Sequence, residues 1–204
     1  MSNIEPLRDF VLGMTALVGR TRDEDECIEE TRRLVSILVS RDDWLPEPFA
    51  KTNPDTYQQY LLHCDPLERF SAVSFVWGPG QKTPIHDHTV WGVVGILRGG
   101  ERTRNFTRDE ATGRLTLIEE QYCPPGAIAI VSPTRGDIHE VSNALPDRPS
   151  ISIHVYGANI GAVHRHAFDP VTGAARDFVS GYSSAATPNL WDRSAAVRAT
   201  IAKA

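Results

Sequence analysis

The sequence of 204 residues is poor in cysteine, and its cysteines are not spaced as ligands or as bridge partners. Cys27, Cys64 and Cys123 are scattered and odd in number, which argues against a disulfide framework. No C-x-x-C pair occurs, so a zinc site built from thiolates is not expected. These features predict a protein of a reducing compartment, and the cytoplasm is the simplest location.

The chain also lacks long apolar runs and a strong charge of either sign. No apolar run reaches the roughly 18 residues that a transmembrane helix needs. The first residues, MSNIEPLRDF, lack the basic and apolar regions of a secretory signal. The net charge of −5 and the pI of about 5.8 give no indication of nucleic acid or of an anionic membrane as a partner. No oligomeric state follows from the sequence.

The distribution of apolar residues predicts a single domain of 1–204 with three parts. Residues 1–50 show apolar positions at helical spacing, and a second helix is expected to begin at Thr21, with Glu24 completing a capping box. Residues 57–180 hold short β-like runs separated by glycine and proline turns, including a hairpin around 169–173, which is typical of a sandwich or barrel. Residues 187–204 form a C-terminal segment that is either a helix or partly mobile.

Two histidines stand two apart in the stretch PIHDHTVWGVVGILRGG, residues 84–100. On a β-strand, His86 and His88 would share one face, because side chains alternate with a period of two. Neutral imidazole is the commonest nitrogen ligand of transition metals, so a metal site is one interpretation. A pair of solvent-facing or hydrogen-bonded histidines is the other.

The run SISIHVYG, residues 150–157, separates apolar from polar side chains by strict alternation. Ser152, His154 and Tyr156 share one face, and the opposite face is wholly apolar. If the apolar face packs under the N-terminal helices, the polar face lines the interior of the barrel, where buried polar groups usually indicate a site. The alternative is a solvent-facing polar row on an open sheet.

A third histidine, His139, follows a glycine turn in PTRGDIHEVSN. A strand that enters the barrel beside the first would bring His139 to His86 and His88. Three imidazoles on one side of a metal leave the opposite positions open, as a catalytic site requires.

Both histidine segments resemble the motifs of the cupin family. Residues 80–99 read G-x5-H-x-H-x3-G-x6-G, and residues 136–143 read G-x2-H-x3-N. Gly92 stands where the first motif usually has a glutamate, which is the fourth protein ligand of many cupins. A cupin with three histidines and no glutamate, and with the run Ser152-x-His154-x-Tyr156, resembles the thiol dioxygenases of the cysteine dioxygenase type I family.

This resemblance implies a mainly β cupin jelly-roll barrel with N-terminal helices and a non-haem Fe(II) centre. It implies His86, His88 and His139 as iron ligands and a small thiol and O2 as substrates, with a sulfinate as product. The resemblance gives Tyr156 the role of hydrogen bonding to oxygen or substrate, while His154 orients Tyr156 and Ser152 fixes the tautomer of His154.

The departures from the mammalian type of this family favour its bacterial 3-mercaptopropionate branch. Gln59 stands where mammalian cysteine dioxygenases have the arginine that holds the substrate carboxylate. No cysteine lies between residues 65 and 122, so the thioether to the catalytic tyrosine cannot form. Arg165 resembles an arginine of the 3-mercaptopropionate branch, so Arg165 and Gln59 are expected to bind the carboxylate.

Other functions stay open at this point. L-cysteine is the alternative substrate, and Arg165 is a surface ion-pair residue if the resemblance does not extend to it. A cupin that binds metal as a non-catalytic sensor is an alternative of another class. Other metal-dependent cupin enzymes form a third alternative, although these usually keep the glutamate that Gly92 replaces.

Overall fold

The computed structural model describes residues 3–184 and 194–201. The helices are α1 (Glu5–Arg20), α2 (Glu24–Val39) and α3 (Ser194–Ile201). The strands are β1 (Gln58–Cys64), β2 (Ser71–Trp77), β3 (Ile85–His86), β4 (Gly92–Arg98), β5 (Glu101–Arg108), β6 (Leu115–Cys123), β7 (Ile128–Val131), β8 (Ile138–Asn143), β9 (Ser150–Tyr156), β10 (Arg165–Phe168) and β11 (Ala175–Phe178). No helix within the described residues has the length and apolar composition needed to cross a membrane.

The strands form two antiparallel sheets that enclose one cavity. One sheet has the order β1-β2-β9-β4-β7, and the other has the order β11-β10-β3-β8-β5-β6. Residues of both sheets, such as His154 and His139, line the space between them. The fold is therefore the cupin jelly-roll barrel with N-terminal helices that the sequence predicts.

The two long helices begin the chain, and the expected start of the second was wrong by two residues. Asp23, not Thr21, caps α2, because the Asp23 carboxylate accepts a hydrogen bond from the backbone N–H of Glu26 at 2.9 Å. Thr21 instead ends α1, where its N–H bonds to the carbonyl of Leu17 at 3.1 Å. The shift leaves the apolar faces of both helices unchanged.

Both helices cover the outer face of the five-stranded sheet. The outward side chains of β9 belong to the same buried core as the apolar residues of α1 and α2; they are Ile151, Ile153 and Val155. Gly95 of β4 allows α2 to lie close, because a Cβ atom at this position would stand 2.5 Å from Val35 Cγ1. With its apolar face covered by helices, β9 turns its polar face into the barrel.

The sequence interpretation placed His86 and His88 on one strand, which is wrong, since β3 has only two residues and His88 lies in the loop beyond it. The hairpin at 169–173 is confirmed, because it joins β10 to β11. Within the C-terminal segment 187–204, α3 is helical, while 187–193 and 202–204 lie outside the described residues.

Candidate metal centre

Three histidines converge on one wall of the cavity. His86 and His139 face each other directly in the pairing of β3 with β8. His88 lies just after β3, and the ligand atoms of the three rings all lie within 4.8 Å of one another. All three side chains are buried. The structure thus brings together the histidines that the sequence singles out.

Hydrogen bonds fix the ring orientation of two of these histidines. The Nδ1 atom of His86 lies 3.0 Å from the carbonyl oxygen of Pro84, and Nδ1 of His88 lies 3.0 Å from Asp137 Oδ1. Because both partners accept, each Nδ1 carries the hydrogen and each Nε2 keeps a lone pair. Asp137 also accepts the backbone N–H groups of His88 and Thr89, at 3.0 and 2.9 Å, which holds the loop in place.

The free lone pairs fit a metal ion. Nε2 of His88 is buried and has no hydrogen-bond partner among the described residues, which is costly for a polar atom unless a ligand satisfies it. Burial holds the pKa of His86 and of His139 well below the usual range, and the neighbouring imidazole of His88 lowers both further. The rings of His86 and His139 are therefore neutral, as metal ligands must be.

The opposite wall carries a chain of hydrogen-bonded side chains on β9. Ser152 Oγ lies 2.8 Å from His154 Nε2, and His154 Nδ1 lies 2.9 Å from the hydroxyl of Tyr156. The Tyr156 ring stacks on that of His88, with 5.6 Å between ring centres. The ring of Phe75 stacks on that of His154 at 4.0 Å and fixes its plane. Both nitrogens of His154 thus have partners within the protein.

Gly92 leaves the space that the Tyr156 ring occupies. It pairs with Tyr156 across β4 and β9, and a Cβ atom at Gly92 would stand 2.7 Å from Tyr156 Cδ1. At that distance any side chain at this position would require the Tyr156 ring to shift. The glycine therefore fits the position that the Tyr156 ring occupies.

Arg165 is a buried cation at the start of β10. Its side chain is 3% exposed, Nη2 donates to Ser180 Oγ at 2.6 Å, and the guanidinium lies 4.6 Å from the ring centre of Phe178. Nε has no partner, and no carboxylate of the described residues lies within ion-pair distance of the guanidinium. Burial lowers the pKa of Arg165. A buried cation without a counter-ion is a site for an anion.

Arg165, Gln59 and Tyr156 line the same cavity as His86 and His139, and its volume is about 220 Å³. Among the described residues, the lining contains no aspartate or glutamate, and Arg176 adds a second positive charge. Every residue for which the sequence predicts a site role, except the loop residue His88 and the deeper Ser152, is part of this lining. The cavity therefore favours a small anion.

Two acidic residues at the site escaped the sequence interpretation. Asp137 orients His88 across 49 positions of the chain, and only its place two residues before His139 gives a hint in the sequence. Glu101 of β5 is buried beside β9, where it accepts a hydrogen bond from Ser150 Oγ at 2.9 Å. No pattern in the sequence marks Glu101, because Ser150, to which its side chain is hydrogen-bonded, lies on the other sheet.

A second group of possible ligands lies near the surface on β10 and β11. Nε2 of His164 lies 3.0 Å from Asp177 Oδ1, and His166 shares that carboxylate at 3.6 Å. Asp87, placed between two of the buried histidines, accepts from His166 Nδ1 at 2.7 Å. These histidine nitrogens and carboxylates therefore have polar partners in one another, in contrast to Nε2 of the buried His88.

Comparison with known proteins gives a family match. The model of the family cysteine dioxygenase type I matches residues 21–169. Cysteine dioxygenase type 1 of Homo sapiens is 27% identical over 107 residues, which is 52% of this chain and 52% of the human protein. The protein of the same name from Rattus norvegicus matches to the same extent. The chain thus spans about half the length of the curated relatives it matches.

Solved structures share parts of the fold at low identity. A protein of Klebsiella pneumoniae with a double-stranded β-helix domain is 16% identical, with a TM-score of 0.45, covering 58% of this chain and 93% of that chain. A recombinant oxalate oxidase in complex with glycolate is 14% identical, with a TM-score of 0.43, covering 53% of this chain and 55% of that chain. Likenesses this weak do not bear on the activity.

Proposed function

Because the chain belongs to the cysteine dioxygenase type I family, we propose that it is a non-haem iron thiol dioxygenase. It adds both atoms of O2 to the sulfur of a small thiol carboxylate and yields a sulfinate. The observation that carries this proposal is the buried three-histidine group beside a cavity that also contains a buried arginine without a counter-ion. One group binds a metal and the other binds an anion, and a thiol carboxylate needs both.

His86, His88 and His139 would hold Fe(II) through the ring nitrogens that the protein leaves free. When bound, the iron supplies a redox-active Lewis acid with open positions for a thiolate and for O2. Asp137 keeps His88 in the ligating tautomer, and the carbonyl of Pro84 does the same for His86. The protein thus fixes the ring orientation of both histidines before a metal binds.

Arg165 would bind the substrate carboxylate. Its guanidinium is fixed between Ser180 and the ring of Phe178, so little side-chain freedom is lost when an anion binds. A hydrogen bond from a buried guanidinium to a carboxylate is among the stronger ones in proteins. Gln59 would add a neutral amide donor from β1 on the same cavity.

Tyr156 would place its hydroxyl beside the reacting atoms. The bond to His154 Nδ1 fixes the position of the hydroxyl oxygen, and Ser152 in turn fixes the ring of His154. Burial raises the pKa of Tyr156, so the phenol keeps its proton and is available as a hydrogen-bond donor. The three residues therefore fix the Tyr156 hydroxyl group on the cavity side of β9.

We propose 3-mercaptopropionate as the substrate, converted to 3-sulfinopropionate, with L-cysteine as the alternative. The cavity lining described above contains Arg165 and Arg176 and no carboxylate, so an α-ammonium group would find no counter-ion there. A buried charge without a partner costs several kcal/mol, and about 1.4 kcal/mol corresponds to a tenfold change in specificity. L-cysteine avoids the free-energy cost of a buried ammonium group only if its amine is neutral and binds the metal.

The test is a comparison of thiols with the iron-loaded protein. We expect kcat/KM for O2 consumption with 3-mercaptopropionate to exceed that with L-cysteine by about 10- to 1000-fold. Cysteamine, which lacks the carboxylate, is expected to be poorer than both. Equal or cysteine-favouring values would overturn the preference, and iron-loaded protein without sulfinate formation from any of the three would overturn the dioxygenase itself.

The proposed location is the reducing cytoplasm. Cys27, Cys64 and Cys123 are all buried, and no disulfide joins them within the described residues. Cysteines that form no disulfide are typical of a reducing compartment.

A further inference from the structure

Glu101 is a buried carboxyl group for which the mechanism above has no use. Its side chain is 1% exposed, and Ser150 Oγ donates to Glu101 Oε1 at 2.9 Å. Burial raises the pKa of this carboxyl group, while hydrogen bonding from the side chains of Ser152 and Trp77 lowers it, and the Trp77 indole N–H also donates to Ser152 Oγ at 3.3 Å. No ion pair among the described residues includes Glu101. A buried acid without a cation needs an explanation, because such groups are costly.

Glu101 stands at one end of a continuous hydrogen-bonded chain that reaches the three-histidine group. The chain runs from Glu101 to Ser152, from Ser152 to His154 over 2.8 Å, and from His154 to Tyr156 over 2.9 Å. Ser152 and Tyr156 are four positions apart on β9, which is about 13 Å along a strand. Glu101 is therefore remote from the imidazoles but connected to the hydroxyl that lies beside them.

The charge of Glu101 decides the direction of every bond in this chain. As a carboxylate, Glu101 only accepts, so the Ser152 hydroxyl donates to it. The lone pairs of Ser152 Oγ then receive the indole N–H of Trp77, at 3.3 Å, and the N–H on Nε2 of His154. His154 Nδ1 is left as an acceptor, and the hydroxyl hydrogen of Tyr156 points to it. In this state Tyr156 presents only lone pairs to the cavity.

A proton on Glu101 reverses the chain. The acid can donate to Ser152 Oγ, so the Ser152 hydroxyl turns to Nε2 of His154. His154 then carries its hydrogen on Nδ1 and donates it to the oxygen of Tyr156. The hydroxyl hydrogen of Tyr156 is released and can donate into the cavity. The Trp77 N–H finds the same acceptor in both states.

We propose that Glu101 is a positioning residue whose protonation sets the direction of the Ser152–His154–Tyr156 hydrogen bonds, and thereby decides whether Tyr156 donates to or accepts from a molecule in the cavity. The effect of Glu101 on turnover rests on the proposed dioxygenase function. The reversal of the hydrogen bonds between Ser152, His154 and Tyr156 does not depend on that function.

The surroundings of Glu101 make both states accessible near neutral pH. Burial raises the pKa of Glu101 to about 7, although hydrogen bonds from Ser152 and Ser150 lower it. From β6 the thiol of Cys123 faces Glu101, and burial raises the pKa of this thiol, so it stays neutral. From β8 the neutral amide of Asn143 faces it.

The remaining neighbours leave the charge of Glu101 uncompensated. Trp77 and the β9 serines are neutral, and burial keeps the pKa of His154 well below its usual range. The flanking Arg102 is directed to the outer surface, where it pairs with Glu120. Below pH 7 the chain therefore takes the direction in which Tyr156 donates, and above pH 7 it takes the opposite one.

The tautomer of His154 reports the direction without any need for turnover. We would measure the imidazole 15N shifts of His154 in the full chain loaded with Zn(II), which is diamagnetic, on both sides of pH 7. The wild type is expected to carry the hydrogen on Nδ1 at low pH and on Nε2 at high pH, with a midpoint of about 7. Glu101→Gln, whose amide donates to Ser152 at every pH, is expected to keep the Nδ1 hydrogen throughout.

Ser150→Ala is the matched variant, because it removes one bond to Glu101 and leaves the chain to Tyr156 intact. The lost hydrogen bond stabilised the carboxylate, so the midpoint is expected to move to higher pH. A wild type with one His154 tautomer over the whole range would overturn the proposal, as would a Glu101→Gln variant that still switches at the wild-type midpoint. Either variant suffices, should the other fail to fold.

Turnover supplies the second readout. With the iron-loaded protein, kcat is expected to fall above pH 7 in the wild type and to stay level in Glu101→Gln, at equal iron content. Turnover without any tautomer switch would overturn the role of Glu101. The switch without thiol oxidation would support that role and overturn the proposed function.

Discussion

The two walls of the cavity use the same kinds of side chain at the same depth, yet they differ in how their polar atoms are satisfied. His88 on one wall is 1% exposed, and His154 on the other is 3% exposed. Both nitrogens of His154 are bonded within the protein, whereas His88 leaves Nε2 without a partner among the described residues. Burial alone therefore does not distinguish the two histidines.

The difference teaches what each wall is suited to do. A wall with buried ring nitrogens that have no partner in the protein is satisfied only when a ligand binds those nitrogens. Such a wall is therefore a ligand-binding surface. A wall whose polar groups satisfy one another is complete by itself and holds a group in position. The predictions below test this division, beginning with the wall whose loss is expected to cost most.

Removal of one imidazole from the wall that carries His86, His88 and His139 is expected to have the largest effect on metal binding and activity. His139→Ala should lose most of the bound iron and abolish O2 uptake, because two ligands on one side hold a divalent metal far less well than three. Iron content per chain and the oxygen-electrode rate measure both effects. His164→Ala is the matched control, since His164 is exposed and bonded to Asp177. Full iron content and turnover in His139→Ala would contradict the ligand assignment.

A substitution on the opposite wall, formed by β9, is expected to lower the catalytic rate without loss of metal. Tyr156→Phe removes one hydroxyl and keeps the ring that stacks on His88, so iron content should stay at the wild-type level. The loss of one catalytic hydrogen bond should lower kcat/KM by about 10- to 1000-fold. Tyr122→Phe, on the exposed strand β6, serves as the control. Loss of iron in Tyr156→Phe would show that the two walls are not separate in function.

Part of this division could be predicted from the sequence alone. The alternation in 150–157 placed Ser152, His154 and Tyr156 on one face, and the apolar face beneath the helices followed from the same period of two. The spacing of His86 and His88 pointed to a shared site, although the pair does not lie on one strand. Their role as ligands remains a prediction.

The rest depends on contacts between residues that are far apart in the chain. Asp137 fixes His88 from 49 positions away, and Ser150 contacts Glu101 across 49 positions. The burial of Arg165 depends on Phe178 and Ser180, which only the return of β11 brings alongside. A local pattern does not encode such pairings, because they are set by strand order and register.

Arg165, at the start of β10, belongs neither to the three-histidine group nor to the polar face of β9. Its substitution is expected to weaken substrate binding more than it lowers the catalytic rate. Arg165→Ala should raise KM for 3-mercaptopropionate by about 10- to 100-fold, because a hydrogen bond to a charged group contributes about 1.5–3 kcal/mol. Steady-state kinetics at fixed iron content measure the change. Arg176→Ala, on the exposed part of the same lining, should have a smaller effect.

A thiol without a carboxylate gives the internal control for Arg165. The rate with 2-mercaptoethanol should change little in Arg165→Ala, because this thiol has no group for the guanidinium to bind. Equal losses for both thiols would show that Arg165 supports the fold of β10 and not the substrate.

Gln59 is expected to give the smallest effect, and it tests whether the carboxylate site extends across the cavity to β1. The backbone of Gln59 is held by Ser183, whose N–H donates to the Gln59 carbonyl at 2.8 Å, while the Gln59 side chain lines the cavity. A neutral hydrogen bond contributes about 0.5–1.5 kcal/mol, so Gln59→Ala should raise KM by about 2- to 10-fold. Gln58→Ala is the matched control, because the neighbouring Gln58 side chain bonds to the carbonyl of Thr56 instead.

The double variant with Arg165→Ala decides whether the two residues hold the same group. If both contact one carboxylate, the second substitution should cost less once the first has been made, because the anion is already displaced. Strictly additive losses would mean that Gln59 acts on a different part of the substrate. A Gln59→Ala variant with wild-type KM would confine carboxylate binding to the arginine on β10.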